Sequence, residues 1–246
     1  MSTAQLPAVH PAVEKFLIQS PRKILIGGKW VQSRSGKTFT AINPASGEPL
    51  AEVYEAGSED VDAAVADARR VFDSGKWSRF NPSERAKILW RAADLMEKHI
   101  DELAVLETLN NGKPIRESRY GDLPMAIENF RYWAGWATKI FGETFPTTTP
   151  YAPAARFFTY TVREPVGVVA AIIPWNFPLQ MASWKLAPAL ACGNVVLLKP
   201  AEQTPLTALR LAEILEEAGL PPGVLQVIPG FGPTAGRGPG RAPGHR

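Results

Sequence analysis

VGVVAAIIPWNFP at 166–178, NVVLLKPAEQTP at 194–205 and VLQVIPGFG at 224–232 are the three segments that decide how this chain folds. Each begins as an apolar run and closes in a Pro- or Gly-bearing loop. Val166–Ile173 is almost wholly apolar, the mark of a parallel strand covered on both faces. Asn194–Leu198 reads as a second strand and Val224–Ile228 as a third. Leu179–Ala191 is a helix between the first two. Thr204 as cap and Pro205 as first residue open another. Its residues Ala208, Leu211, Ala212, Leu215 and Ala218 point inward, with Glu213, Glu216 and Glu217 outward, and Gly219 ends it. Strand–helix–strand–helix–strand with short loops predicts an α/β fold, half of a doubly wound parallel sheet of the Rossmann kind. Ligands of such sheets lie beyond the carboxyl ends of the strands, so three loops should meet there: 174–178, 199–202 and 230–233.

Upstream the pattern differs. Lys23–Ile26 and Lys29–Gln32 flank Gly27-Gly28, a hairpin signal. Thr38–Asn43 and Leu50–Glu55 flank Pro44-Ala45-Ser46-Gly47, a turn. Helices follow. One is capped by Ser58, with Val61, Ala64, Val65, Ala68 and Phe72 on one face. One opens at Asn81-Pro82, with Ile88, Ala92, Leu95, Met96 and His99 in its stripe. A short one ends at Asn110-Asn111-Gly112, and a long one spans about Ile115 to Phe141. Residues 142–165 break helix and turn β-rich, which predicts a projecting ribbon of the kind that usually pairs with something, often another subunit. The expected layout is a flexible arm at 1–20, a cofactor domain at 21–146 and 164–236, an oligomerisation ribbon at 147–163 and an aberrant tail at 237–246.

Composition is that of an ordinary globular chain, 45% hydrophobic and 21% charged. The net charge of +3 owes much to Arg237, Arg241 and Arg246 in the tail. That is no footprint for nucleic acid or a membrane surface. No apolar run approaches the ~20 residues of a spanning helix. The N-terminus lacks the pattern of a secretory signal. The single cysteine, Cys192, forbids an intrachain disulfide and fits a reducing compartment, so a cytoplasmic location is expected. Cys192 ends an apolar helix with nothing beside it to lower its pKa, and reads as a structural thiol rather than a nucleophile. No metal site is expected.

Read from the residues alone, the loops stay ambiguous. Gly230-x-Gly232-x-x-x-Gly236 has the wrong spacing for a phosphate loop and follows the third strand, so it reads as a tight turn. Asn176 suits a turn that satisfies its own loop, and Lys199 with Glu202 an exposed charge pair of little worth. Aromatic residues at helical spacing are more often core than tunnel. The ordered set Asn43-Pro44-Ala45-Ser46-Gly47, Glu164-Pro165-Val166-Gly167-Val168, Pro174-Trp175-Asn176-Phe177-Pro178, Lys185-Leu186-Ala187-Pro188-Ala189-Leu190, Gly193-Asn194 and Lys199-Pro200-Ala201-Glu202-Gln203-Thr204-Pro205 goes further. From about Ile24 to Gly236 the chain resembles the aldehyde dehydrogenase superfamily.

That resemblance implies NAD-dependent oxidation of a small-molecule aldehyde to a carboxylic acid. Asn176 would supply a side-chain amide to the oxyanion hole, and Lys185 would take part in a proton relay. Ile172, Ile173, Pro174, Trp175, Gly232 and Pro233 would line the cofactor, with Lys199 and Glu202 on its ribose hydroxyls. Phe177, Met181 and Trp184 would line the substrate tunnel. A carboxylate at the ribose 2′-hydroxyl repels a 2′-phosphate, which favours NAD over NADP. Family members form homo-oligomers, here expected through ribbon 147–163.

After Gly236 the resemblance stops. The family's general-base glutamate, its Gly-Gln-x-Cys nucleophile and its catalytic domain are expected to be absent, and the tail reads as frameshifted GC-rich coding sequence. The chain alone is then expected to be inactive. The alternatives are a non-catalytic cofactor-binding or interaction fragment and a non-functional truncated product. A sheet cut at its third strand should leave an exposed face and edge.

Overall fold

The computed structural model describes residues 10–236. Helix α1 (Pro11–Ile18) occupies part of the expected flexible arm, and Val13 and Phe16 are buried. Its apolar pair packs against the body, which is what orders it; the rest of the arm, residues 1–9, and the expected aberrant tail at 237–246 lie outside the described residues. Strands β1 (Ile24–Ile26) and β2 (Lys29–Val31) form the expected hairpin, Ile26 opposite Lys29. Gly27 and Gly28 turn it at φ of 63° and 72°, the left-handed pair that a two-residue hairpin demands. Strands β3 (Thr38–Ile42) and β4 (Pro49–Tyr54) make a separate antiparallel pair.

Helix α2 (Ser58–Asp73) buries Val61, Ala64, Val65 and Ala68. Its cap is Gly57 rather than Ser58: the Asp60 carboxylate reaches back to accept from Gly57 N at 2.9 Å. Helix α3 (Pro82–Lys98) starts as predicted, with Asn81 Oδ1 accepting from Ser83 N at 2.9 Å. Helix α4 (Ile100–Asn111) stops at Gly112, whose φ is 86°. The long helix expected over Ile115–Phe141 is shorter and interrupted. A turn, α5 (Ile115–Glu117), runs through a π-helical stretch at Ser118–Asp122 into α6 (Leu123–Trp136). Pro124 has no N–H for the helical ladder, and the wider turn before it accommodates that loss. The ribbon is a minimal pair, β5 (Thr144–Phe145) with β6 (Thr159–Tyr160), carrying exposed Phe145, Tyr151, Phe158 and Tyr160.

The α/β part then unrolls as β7 (Val168–Ile172), α7 (Pro178–Ala191), β8 (Val195–Lys199), α8 (Leu206–Glu217) and β9 (Leu225–Val227). β7, β8 and β9 are parallel, and the sheet order is β2-β1-β9-β8-β7. β8 is buried at every residue. All five residues expected inward on α8 are buried. Glu213 and Glu216 are not solvated as expected: Glu213 pairs with Arg22, and Glu216 accepts from Trp30 Nε1 at 2.9 Å.

Two expectations about the sheet need correction. The third strand is not an open edge, because β1 pairs antiparallel with β9, Leu25 opposite Val227. Of the three parallel strands the edge is β7, with β2 ending the sheet on the other side. Nor is β7 covered on both faces: Val169 and Ala170 are half-buried and Ile172 is 54% exposed. Among the described residues no helix is long and apolar enough to cross a membrane.

Candidate cofactor site

Parallel pairing puts Ile172 opposite Lys199 and Leu198 opposite Val227, so the three strands end on one edge. One further bond, Ile173 N to Lys199 O at 3.1 Å, carries the first pairing one residue on. The chain then leaves the sheet. Pro174, Trp175, Asn176 and Phe177 are all exposed, Trp175 at 58%. Asn176 makes no side-chain hydrogen bond among the described residues, so it is not a turn residue satisfying its own loop.

Lys199 is buried at 3% exposure, at the end of a strand rather than on an exposed helical turn. Its ammonium donates to Pro200 O at 2.9 Å and to Glu202 Oε2 at 3.2 Å. Burial pushes the Glu202 carboxyl up, but its own backbone N–H and Lys199 outweigh burial and hold it below the usual glutamate range. Gly232–Gly236 is a single π-helical turn, in keeping with a tight turn, with Gly232 and Pro233 exposed. A Cβ on Gly236 would lie 3.8 Å from Lys199 Cε, so this third loop sits against the lysine stem. A groove of about 730 Å³ runs from Trp175 past Glu202, Gln203 and Thr204 to Phe39 and Phe231.

Phe177, Met181, Trp184 and Lys185 recur at helical spacing on one face of α7. Phe177, Trp184 and Lys185 are exposed and Met181 is half-buried, so this stripe is surface rather than core. α7 packs on α6, where Gln180 Nε2 reaches Met125 Sδ at 3.6 Å.

The sequence reading missed four residues at the end of α4, all of which bond to these loops. Glu107 is fully buried; it accepts from Leu179 N at 3.2 Å and from Thr207 Oγ1 at 2.6 Å. Burial pushes its carboxyl up to about 7, against the bonds from Thr207 and Leu179 and the charge of Lys113. Asn110 donates to Gln203 O at 3.1 Å and accepts from Leu206 N at 3.0 Å. Asn110, not Thr204, therefore caps α8. Among the described residues the buried Thr204 hydroxyl has no partner. Asn111 donates to Trp175 O at 2.7 Å, and Lys113 to Asn176 O at 3.0 Å. Lys113 also pairs with Asp122 and lies 4.3 Å from the centre of the Phe177 ring. The available signal was periodicity: Leu103, Glu107 and Asn110 share one stripe, so two polar residues continue an apolar face.

Cys192 lies at the opposite edge of the sheet. A cleft of about 740 Å³ there is lined by Cys192, Arg85, Val166 and Asn194. β8 separates that edge from Lys199 by roughly 15 Å at strand rise. Burial pushes the Cys192 thiol up, with Arg85 opposing. Contrary to the expectation that nothing beside it would lower its pKa, Arg85 acts in that direction on this half-buried thiol, but burial outweighs it, and its distance from the loops fits a structural thiol.

A parallel sheet whose exposed polar loops gather at the carboxyl edge of its strands defines an α/β unit with one prepared binding edge. The chain belongs to the aldehyde dehydrogenase family, a family of oxidoreductases, whose model matches residues 30–244 and so runs past Gly236, where the resemblance was expected to stop. It is 54% identical over 226 residues to the phenylacetaldehyde dehydrogenase of Pseudomonas fluorescens, covering 92% of this chain and 45% of that relative. It is 52% identical over 234 residues to the mitochondrial benzaldehyde dehydrogenase of Antirrhinum majus, covering 95% and 43%. An NAD+ complex of aldehyde dehydrogenase from Bacillus cereus superposes with a TM-score of 0.88 at 49% identity, covering 93% of this chain and 45% of that one. The chain thus spans about half the length of the relatives it matches.

Proposed function

We propose that this chain carries the NAD-binding and oxyanion part of an enzyme that oxidises an aldehyde to a carboxylic acid. The observation that supports it best is the Lys199–Glu202 pair at the carboxyl end of β8, beside the exposed Trp175-Asn176 loop. The donor set suits a ribose. The Glu202 carboxylate is an acceptor held ionised, and two of the three Lys199 ammonium protons are committed among the described residues, leaving the third to donate. Ile172, Ile173, Pro174 and Trp175 would flank the cofactor on one side, Gly232 and Pro233 on the other. The carboxylate disfavours a 2′-phosphate, which argues for NAD over NADP.

When bound, NAD accepts the hydride. This chain's own part is to hold a neutral donor where charge develops on the aldehyde oxygen. The unengaged Asn176 amide does this, and loss of such a donor typically costs ~10²–10³ in rate. Phe177, Met181 and Trp184 offer an apolar wall to the aldehyde, and Lys185 on the same face supplies a proton-relay group. We assign 21–146 and 164–236 to the cofactor domain. Ribbon 147–163 is assigned to homo-oligomer contacts, which the exposed Tyr151 and Phe158 and the aromatic strands beside them suit. The lone thiol fits a cytoplasmic setting. With no cysteine at the carboxyl edge among the described residues, the chain by itself is expected to bind NAD without turnover.

Calorimetry of the chain with NAD and with NADP tests this reading. NAD binding that is weakened at least tenfold by Glu202→Ala, with NADP weaker than NAD, is expected. A folded chain that ignores NAD, or binds it equally well as Glu202→Ala, sinks the reading.

A further inference from the structure

The loops at 174–179 and 200–207 leave neighbouring strands and turn into different helices. Among the described residues no hydrogen bond runs directly between them beyond the Ile173 to Lys199 pairing. What joins them is the end of α4. Glu107, Asn111 and Lys113 bond to Leu179 N, Trp175 O and Asn176 O on one side. Glu107 and Asn110 bond to Thr207 Oγ1, Gln203 O and Leu206 N on the other. Glu107 alone touches both, one carboxyl oxygen to each helix start.

We propose that Glu107–Lys113 is a positioning clamp for the two loops, with Glu107 as the shared anchor that fixes the Asn176 loop relative to the Glu202 loop. The role of the loops rests on the NAD-binding reading, but the clamp itself rests only on these bonds. The physical need is preorganisation. Trp175 and Asn176 are exposed and have little packing of their own to hold them, and a binding constellation works only when its parts are fixed by a supporting layer. Every clamp bond on the α8 side is buried or half-buried, where an acceptor left without its donor is costly. Helix α4 is itself anchored by buried Leu103, Ala104 and Leu106, so the clamp starts from a rigid element. Gly112 turns the chain sharply between Asn111 and Lys113 and lets both side chains reach the same loop.

Amide hydrogen exchange on the full chain tests the clamp with crossed reporters. Leu206 N is held by Asn110, and Leu179 N by Glu107. Glu107→Ala should therefore lower protection not only at Leu179 but also at Leu206, whose own acceptor is untouched, by roughly tenfold, as expected for a lost buried hydrogen bond. Thr207→Val, which keeps shape and removes the hydroxyl, should lower protection at Leu179, and it decides the matter if Glu107→Ala fails to fold. Glu107→Gln keeps an acceptor for Leu179 N and a donor for Thr207, and should restore protection at both reporters. Core amides of α3, such as Leu89 and Ala92, should stay unchanged. Crossed losses confined to the two loops support the clamp. Losses that spread equally through α3, or crossed reporters that do not move, overturn it. If the folded wild type fails to bind NAD, the functional reading falls while the exchange pattern still decides the clamp.

Discussion

Replacing Glu107 by Gln should remove most of the pH dependence of the chain's stability between about 4.5 and about 7. Glu107 is wholly buried, and burial raises its carboxyl from an ordinary 4.5 to about 7. Between those values the folded state holds a proton that the unfolded state has released. The stability that comes from this proton is fully present below about 4.5, falls as pH rises, and is gone above about 7. At ~1.4 kcal/mol per pH unit, the gap amounts to ~3 kcal/mol. Lys113 and Asp122 face the same carboxyl with opposite effects, and both remain in the variant. Glutamine copies the protonated form: its carbonyl oxygen accepts from Leu179 N, and its NH₂ donates to Thr207 Oγ1. Urea unfolding of both proteins from about pH 5 to about pH 8 should then show near-equal stability at the acid end. Towards the alkaline end Glu107→Gln should gain, by ~2–3 kcal/mol relative to the wild type. Parallel stability curves for the two proteins would mean that Glu107 is not the buried, raised carboxyl that its surroundings indicate.

Two further substitutions probe what holds the site's scaffold together. Gly28→Ala places a Cβ 2.4 Å from Pro222 Cβ at a residue whose φ is +72°, so a loss of at least ~2 kcal/mol is expected from strain and overlap; an unchanged melting temperature would show that the hairpin does not press on the loop before β9. Trp77→Phe keeps a buried ring stacked on Phe80 at 5.6 Å but removes the bond from Nε1 to Leu190 O at 3.1 Å. It should cost ~1–3 kcal/mol in urea unfolding, and a change within experimental scatter would refute the claim that this bond secures the end of α7.

The parts of the fold that were legible share one property: their signal is local. The β1–β2 hairpin announces itself through Gly27-Gly28, α3 through Asn81-Pro82, and β8 through an unbroken apolar run. None of these needs a distant partner to be recognised. The misreadings came where a distant partner decides the outcome. β9 has the composition of a strand, but only its pairing with β1, about two hundred residues earlier in the chain, shows that it is interior and that β7 is the edge. Thr204 has the residue type of a cap, yet Asn110 performs that function from 96 residues away. Glu213 looks like a solvated face until Arg22 arrives from the N-terminal segment.

The same distinction divides the candidate site. Its exposed loops were legible because they follow strands, and exposed polar residues after a parallel strand need only the sheet's direction to place them. The end of α4 was read merely as a helix stop, since Asn110-Asn111-Gly112 is a turn sequence with or without a task. What separates a stop from a clamp is burial. Leu103, Glu107 and Asn110 lie on one helical stripe, and a buried carboxylate or amide is tolerated only when something satisfies it. A Glu and an Asn that continue the apolar stripe of Leu103 thus require partners, even where the sequence does not say which. Here the partners are the first turns of α7 and α8, the places where a doubly wound fold holds its loops. Exposed residues of such a site can be found by motif, whereas the groups that hold them in place are found by looking for polar side chains that the periodicity commits to the interior.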